Sequence, residues 1–101
     1  FEAYNARDLA RFLAQYSDDI HAYRPPIVEP VIVGKQAFGE FYATQRFNHA
    51  SLHAILVNRM VLGNRVIDHE RISGVQDKPF DVAVVYEVVN GLIQRTWTFA
   101  A

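Results

Sequence analysis

Residues 57–72 read VNRMVLGNRVIDHERI, two runs of strand-forming residues joined by Gly63-Asn64. A two-residue turn of this composition supplies the positive φ angles that type I′ and II′ turns require, so the pattern predicts a β-hairpin. The position of the turn fixes the register of the two strands. The predicted cross-strand pairs are Leu62 with Arg65, Arg59 with Asp68, Asn58 with His69, and Val57 with Glu70.

Alternation of side chains along a strand gives the hairpin two faces, and both faces mix polar with apolar residues. The polar residues are Arg59, Asp68 and Glu70 on one face, and Asn58, His69 and Arg71 on the other. Ionisable groups among buried apolar side chains destabilise a protein by several kcal/mol unless they are paired. We therefore expect these groups to be paired, exposed or functional.

Composition indicates one small domain. The sequence has 101 residues, of which 50% are hydrophobic, and this is enough for a single core spanning residues 1–101. The chain opens at Phe1 without Met and already in a helical pattern, so we expect part of the N-terminal helix to lie upstream.

Charge and residue usage argue against several function classes. The formal net charge is −1 and the arginines form no basic stripe, so we expect no nucleic-acid partner. No apolar run approaches the roughly 20 residues of a membrane span, so we expect no membrane partner. The absence of cysteine excludes a disulfide scaffold and thiol chemistry, and it fits a cytoplasmic location.

Helical patterns come first in the chain and strand patterns follow. Leu9, Phe12, Leu13 and Tyr16 are spaced i, i+3, i+4 and i+7, which predicts an amphipathic helix with Asp8 as its N-cap. The other predicted elements are the last turn of a helix at 1–4, short strands at 20–24 and 31–33, a helix at 35–47, and long strands at 51–62, 65–73, 80–89 and 92–99. Short connections join the long strands, which predicts an antiparallel meander and an α+β fold class.

Five segments together carry a family resemblance. They are YNARDL at 4–9, YSDD at 16–19, FGEFY at 38–42, VIDHE at 66–70 and YEVVNGLI at 86–93. In combination they resemble the SnoaL-like branch of the nuclear transport factor 2-like superfamily, which has the ketosteroid isomerase-like fold. The resemblance implies a cone-shaped α+β barrel, in which N-terminal helices pack on a curved, mainly antiparallel sheet and leave a pocket at the open end.

The resemblance also implies a homodimer, but it leaves the function open. Related members include ketosteroid isomerase, limonene epoxide hydrolase and polyketide cyclases, together with non-enzymatic domains. The position that matches the general base of the isomerase is Arg24, and the oxyanion-hole position falls near Val85. Neither side chain can do the corresponding chemistry, so steroid isomerisation is not expected.

The resemblance turns the Asn58/His69 face of the hairpin toward the pocket. His69 is then the expected general acid or base, with Glu87 as a second catalytic group. The expected ligand-binding residues are Asn58, Tyr42, Tyr16 and Arg24. We expect neither a metal nor another cofactor, because His49 and His53 straddle a helix-to-strand junction without a carboxylate at ligand spacing.

The opposite face of the hairpin provides a competing constellation. Arg59 between Asp68 and Glu70 resembles the aspartate–arginine–aspartate arrangement with which limonene epoxide hydrolase activates water. The two carboxylates here are two positions apart on one strand, which differs from that arrangement. These residues form either an alternative site or an ion-pair network at the dimer interface.

Three functions therefore remain open from the sequence. The leading hypothesis is a cofactor-independent lyase, isomerase or hydrolase that acts on a small apolar or polyketide/steroid-like molecule. The second is a non-catalytic ligand-binding module with a formed pocket. The third is a dimerisation domain whose pocket is filled by its own aromatic side chains.

Overall fold

The computed structural model describes residues 1–101 and contains three helices and six strands. In chain order they are α1 (Glu2–Asn5), α2 (Leu9–Leu13), β1 (Tyr16–Tyr23), β2 (Ile32–Val33), α3 (Lys35–Gln45), β3 (His53–Leu62), β4 (Arg65–Ser73), β5 (Phe80–Val89) and β6 (Leu92–Ala100). None of the helices is long and apolar enough to cross a membrane.

All six strands belong to one curved sheet with the order β2-β1-β6-β5-β4-β3. Strands β3 to β6 pair antiparallel with their sequence neighbours, so the predicted meander is confirmed. Strand β1 joins the far side of β6 in parallel, and the short β2 pairs with β1. The predicted α+β class, with helices packed on a curved sheet, is confirmed as well.

The β3–β4 hairpin has the predicted register near its turn and a different one beyond it. Arg59 pairs with Asp68 as expected. A β-bulge between Leu56 and Asn58 then leaves Leu56, rather than Val57, opposite Glu70. The predicted pairing of Val57 with Glu70 is therefore wrong. A bulge adds one residue to one strand, and the apolar run at 54–57 that leads into this one has no break that would reveal it.

Helix α2 is shorter than its spacing predicts. The Asp8 carboxylate accepts a hydrogen bond from the Arg11 backbone N–H at 3.2 Å, so the predicted N-cap is present. The helix ends at Leu13, and Tyr16 already belongs to β1, where it pairs with Ile93. Pairing with β6 thus overrides helical spacing at Tyr16.

The helices rest on one face of the sheet through an aromatic core. Its buried members are Ala3, Phe12, Tyr16, Ile20, Ala22 and Phe38. The Asn5 side chain also joins α1 to β3, because its Nδ2 donates to the Ala54 carbonyl at 3.0 Å and its Oδ1 accepts from the Ala54 N–H at 2.7 Å. The helices thus contact β1 and β2 at one edge of the sheet and β3 at the other edge, and a cavity remains between the helices and the sheet.

Two turn glycines allow a matched test of the loops. Both adopt the left-handed region, Gly63 at φ +61 and Gly74 at φ +83. A Cβ on Gly63 would meet nothing within 4 Å, whereas one on Gly74 would meet the backbone carbonyl of Ser51. We expect Gly63→Ala to lower the free energy of unfolding by about 1–2 kcal/mol, the usual penalty for an L-residue in this region. Gly74→Ala should lower it clearly further, because the backbone must also move. Urea unfolding of the two variants measures both losses, and equal losses would contradict the close contact at Gly74.

Candidate functional site

A cavity of 390 Å³ lies between the helices and the concave face of the sheet. Most of its lining is apolar, with a smaller set of polar and charged side chains. Both the volume and this composition are typical of sites for small organic molecules. The charged residues in the lining are Arg24, Arg46, Arg59, Asp68 and Glu70.

The hairpin face that lines this cavity is the one opposite to the predicted face. Asp68 and Glu70 on β4 point into the cavity, and His69 between them points to the outer face of the sheet. The prediction that the Asn58/His69 face lines the pocket is therefore wrong. Both faces mix polar and apolar residues, so hydrophobicity alone could not select between them. The buried face is the one on which the helices pack, and it includes Val66, Val82 and Val84.

The expected catalytic residues instead make contacts on the outer face. His69 Nε2 lies 2.8 Å from Asp81 Oδ2. Glu87 accepts hydrogen bonds from Arg65 at 3.0 Å and from Arg95 at 2.7 Å. Neither His69 nor Glu87 lines the cavity.

Asn58 does not orient His69 as expected. Its Oδ1 accepts a hydrogen bond from the Arg59 backbone N–H at 2.9 Å, and it too lies outside the cavity lining.

Three of the expected ligand-binding residues do line the cavity, namely Tyr16, Tyr42 and Arg24. Burial raises the pKa of Tyr42 to about 12 and that of Tyr16 well above its ordinary value. Both phenols therefore keep their protons at neutral pH and can donate hydrogen bonds. Their role toward a ligand stays a prediction.

The floor of the cavity carries an Arg–Asp pair. Arg59 Nε donates to Asp68 Oδ1 at 2.7 Å, and its Nη2 donates to Oδ2 at 2.8 Å. Asp68 is only 1% exposed, whereas 46% of the Arg59 side chain remains accessible. Hydrogen bonding to Asp68 raises the pKa of Arg59. The pair thus holds a nearly buried carboxylate in a fixed position.

Glu70 is the second carboxyl group of the floor and has a different environment. Tyr86 on β5 donates its O–H to Glu70 Oε2 at 2.8 Å, while no ion pair joins Glu70 to Arg59. Burial raises the pKa of Glu70, since the residue is 7% exposed, and the nearby Asp68 adds to this shift against the hydrogen bond from Tyr86. A carboxyl group of this kind retains its proton at higher pH than usual and can act as an acid or a base.

Tyr86 and Arg46 were missed by the sequence reasoning. Tyr86 pairs with Val66 across β4 and β5, so alternation would place it in the cavity once the correct face of β4 is known. Arg46 follows α3 and lies four residues after Tyr42, a spacing that puts both on one side of a helix. Strand alternation at Tyr86 and the spacing of Arg46 from Tyr42 are both visible in the sequence. They indicate a cavity position only once the face of the sheet that the helices cover is known.

No three histidine, aspartate or glutamate side chains converge in an arrangement that could hold a metal ion. His49 and His53 are separated by the junction at the start of β3 and neither lines the cavity.

The helices, the curved sheet and the cavity between them define the class of NTF2-like α+β pocket domains. Residues 1–96 match the family described as the SnoaL-like domain, and the chain belongs to this family. No curated protein matches the sequence.

Solved structures share this fold at low sequence identity. A proposed ketosteroid isomerase from Kribbella flavida DSM 17836 superposes with a TM-score of 0.86 at 21% identity, over 100% of this chain and 71% of that one. An NTF2-like protein of unknown function from Burkholderia xenovorans LB400 superposes with a TM-score of 0.84 at 20% identity, over 99% of this chain and 75% of that one. An LEH-like epoxide hydrolase of M. tuberculosis gives 0.80 at 16% identity, also over 99% and 75%. These likenesses establish the fold.

Two Arg–Asp pairs of similar geometry allow a matched test of the cavity floor. Arg59 and Arg71 each hold an aspartate on the neighbouring strand through two hydrogen bonds. Asp68 is 1% exposed, whereas 31% of the Asp81 side chain is accessible. We expect Arg59→Ala to lower the free energy of unfolding by about 1–4 kcal/mol, because it leaves a buried carboxylate without its partner. Arg71→Ala should lower the free energy of unfolding clearly less, because water can solvate Asp81. Chemical denaturation at one protein concentration compares the two variants, and equal losses would mean that Asp68 is solvated too.

Proposed function

We propose that this chain is a cofactor-independent acid–base enzyme that binds a small, mainly apolar molecule and uses Glu70 to transfer a proton. The observation that carries the proposal is a buried carboxyl group of raised pKa in the wall of a largely apolar cavity. Raised carboxyl pKa values are a common property of catalytic acids and bases that work near neutral pH. The proposed reaction is that of a lyase, an isomerase or a hydrolase.

One oxygen of Glu70 is available for this chemistry. Oε2 accepts the hydrogen bond from Tyr86, and Oε1 has no partner. No side-chain oxygen of the protein is both fully buried and unpaired, so Oε1 retains some accessible surface. Because Glu70 lines the cavity, this oxygen can accept a proton from a bound molecule or from a water beside it.

The other polar groups have supporting roles in this proposal. Tyr86 orients the carboxyl group of Glu70, and burial keeps the Tyr86 phenol protonated by raising its pKa. The paired Asp68 places a fixed negative charge nearby, which favours the protonated form of Glu70. His69 and Glu87 have no part in proton transfer, because they lie on the outer face of the sheet.

The fold relatives support the choice of reaction classes. One is named a proposed ketosteroid isomerase and another an LEH-like epoxide hydrolase. Both names denote acid–base chemistry on small organic molecules, although their identities of 21% and 16% connect them to this chain by fold alone. An epoxide and a β,γ-unsaturated ketone are therefore suitable first test substrates.

Activity assays with these two substrate classes test the proposal. We expect the wild-type protein to convert members of at least one class, and Glu70→Gln to lower kcat by about 100-fold or more, because proton transfer by a positioned group contributes that much. Glu87→Gln is the matched control, since it removes an equally buried carboxylate from the outer face. Tight ligand retention without conversion would instead favour a non-catalytic binding module.

The pH dependence of stability tests the state of Glu70 directly. The folded pKa of Glu70 is raised above the ordinary value of 4.5, so its stabilising contribution is complete below that value. This contribution is lost as the pH rises through the folded pKa. Glu70→Gln cannot ionise, so its stability relative to wild type should improve from about pH 4 to pH 7, by about 1.4 kcal/mol per unit of pKa shift.

Urea unfolding over this pH range measures the effect. Glu40→Gln serves as the control for the loss of one negative charge, because Glu40 is exposed on α3. A difference between Glu70→Gln and wild type that stays constant with pH would remove the basis of the proposed proton transfer.

We also propose that the protein forms a homodimer through the outer face of the sheet. The register places a row of apolar residues across five strands, consisting of Met60, Ile67, Val85, Trp97 and Tyr23. The Tyr23 and Trp97 rings stack at a centroid distance of 5.5 Å. Ion pairs lie on both sides of this row, formed by Glu87 with Arg65 and Arg95 and by Asp81 with Arg71. An apolar centre with a charged rim is typical of protein interfaces.

A charge in the middle of the row should separate the two copies. We expect sedimentation of the wild-type protein at micromolar concentration to show a dimer, and Val85→Arg to show a folded monomer, because an unpaired charge in an apolar interface is strongly unfavourable. Ala10→Arg on the exposed side of α2 is the control and should remain dimeric. A monomeric wild-type protein would contradict the proposal.

A further inference from the structure

Two arginines at the cavity share one aromatic ring. Arg24 follows the last residue of β1, and Arg46 is the C-cap residue of α3. Their guanidinium carbons lie 5.9 Å and 5.3 Å from the centroid of the Phe41 ring. All three residues line the cavity, and Arg24 is exposed. We refer to Arg24, Arg46 and Phe41 as the basic rim.

The arginines of the basic rim differ from most others in the protein, because neither forms an ion pair. Five arginines have a carboxylate partner within 4 Å, namely Arg11, Arg59, Arg65, Arg71 and Arg95. Arg46 donates a hydrogen bond to the adjacent Gln45 carbonyl at 2.9 Å and also interacts with the Tyr4 phenol, whereas Arg24 makes no hydrogen bond to protein. The donors of two guanidinium groups are thus largely free beside the cavity.

This arrangement creates a positive field at one end of the cavity. Two guanidinium groups over one ring repel each other, and no protein carboxylate compensates them. Their field reaches the neighbouring Tyr42, where both arginines oppose the upward pKa shift caused by burial. A bound anion would relieve this repulsion and satisfy the free donors.

The carboxyl groups of the cavity stand on a different strand from the one that leads to Arg24. Asp68 and Glu70 lie on β4, which β6 and β5 separate from β1, and both are almost fully buried. Most of the other side chains that line the cavity are apolar. An anionic group is attracted to the two unpaired guanidinium groups of the basic rim, whereas the guanidinium group of Arg59 is already occupied by Asp68. An elongated ligand with one anionic group is therefore favoured with that group at the basic rim.

We propose that the basic rim selects substrates that carry a carboxylate on an apolar ring system. The carboxylate is held by Arg24 and Arg46 at the rim, and the apolar body extends toward Glu70. A carboxylate fits because the planar guanidinium fork binds its two oxygens with two parallel hydrogen bonds. This inference rests on the proposed function only in taking the cavity as the substrate site.

Matched probes of equal shape test the inference. We would titrate the protein at low ionic strength and neutral pH with 2-naphthoate and with 2-naphthamide, which lacks the negative charge. We expect 2-naphthoate to bind at least about tenfold more tightly, a preference of the size that charge-assisted hydrogen bonds provide. The double variant Arg24→Gln/Arg46→Gln should reduce the preference to below about threefold and leave the affinity for 2-naphthamide unchanged.

The control variant is Arg11→Gln, which removes one positive charge from an exposed helix position outside the cavity. It should keep the full preference for 2-naphthoate. Circular dichroism and the melting temperature confirm that each variant is folded. The inference is overturned if wild-type protein fails to prefer 2-naphthoate, including the case in which neither probe binds. It is also overturned if Arg11→Gln lowers the preference as much as the double variant does.

The binding test of the basic rim and the tests of proton transfer by Glu70 can fail independently of each other. Glu70 lies outside the basic rim, so Glu70→Gln should retain the preference for 2-naphthoate. If this preference is present but Glu70 shows no raised pKa, the proton-transfer proposal fails and the inference about the basic rim is retained. If Glu70 behaves as expected but the preference is absent, only the basic rim fails.

Discussion

A carboxylate that is 1% exposed can remain charged inside a protein only if its charge is compensated, and Asp68 obtains this compensation from Arg59. The pair spans β3 and β4, so it requires both residues to point to the same face of the hairpin. Once that face lies under the helices, Glu70 follows it into the cavity two positions later, and His69 must point outward. The position of every other polar group on the sheet depends on this choice.

The sequence predicted the class of fold because its signals are local and agree with one another. The Gly63-Asn64 turn fixed the Arg59–Asp68 pairing, and the helix-then-strand order fixed the α+β class. The bulge near Val57 left no trace, because the apolar run at 54–57 that leads into it has no break. The end of α2 at Leu13 could not be predicted either, because Tyr16 fits the helical spacing although it pairs with β6. Both errors arise where a tertiary contact competes with a local pattern.

The candidate site was less predictable than the fold, for a related reason. Burial of a mixed hairpin face is decided by what packs on it, and the polar content of the two faces is nearly equal. His69 was attractive as a catalytic group because imidazole titrates near neutral pH. In the structure the carboxyl group of raised pKa in the cavity is Glu70, and desolvation is the main cause of the shift. Desolvation is a property of the folded cavity and cannot be read from the residues beside it in sequence.

The ion pairs on the two faces of the sheet differ, because the outer face is in contact with water and the inner face is covered by the helices. On the outer face, Glu87 and Asp81 each contact more than one basic side chain, and the pKa of Asp81 is lowered to about 2 mainly by its hydrogen bond from Arg71. Asp81 is therefore a poor proton acceptor, and the ion pairs of both carboxylates hold neighbouring strands together. On the inner face, a single guanidinium compensates Asp68 and none pairs with Glu70. The unpaired cations of the basic rim give the cavity a permanent positive field, because the Asp68 charge is compensated by Arg59 and Glu70 favours its protonated form. Such a field is built into the fold before any ligand enters, and it costs no reorganisation when a proton moves.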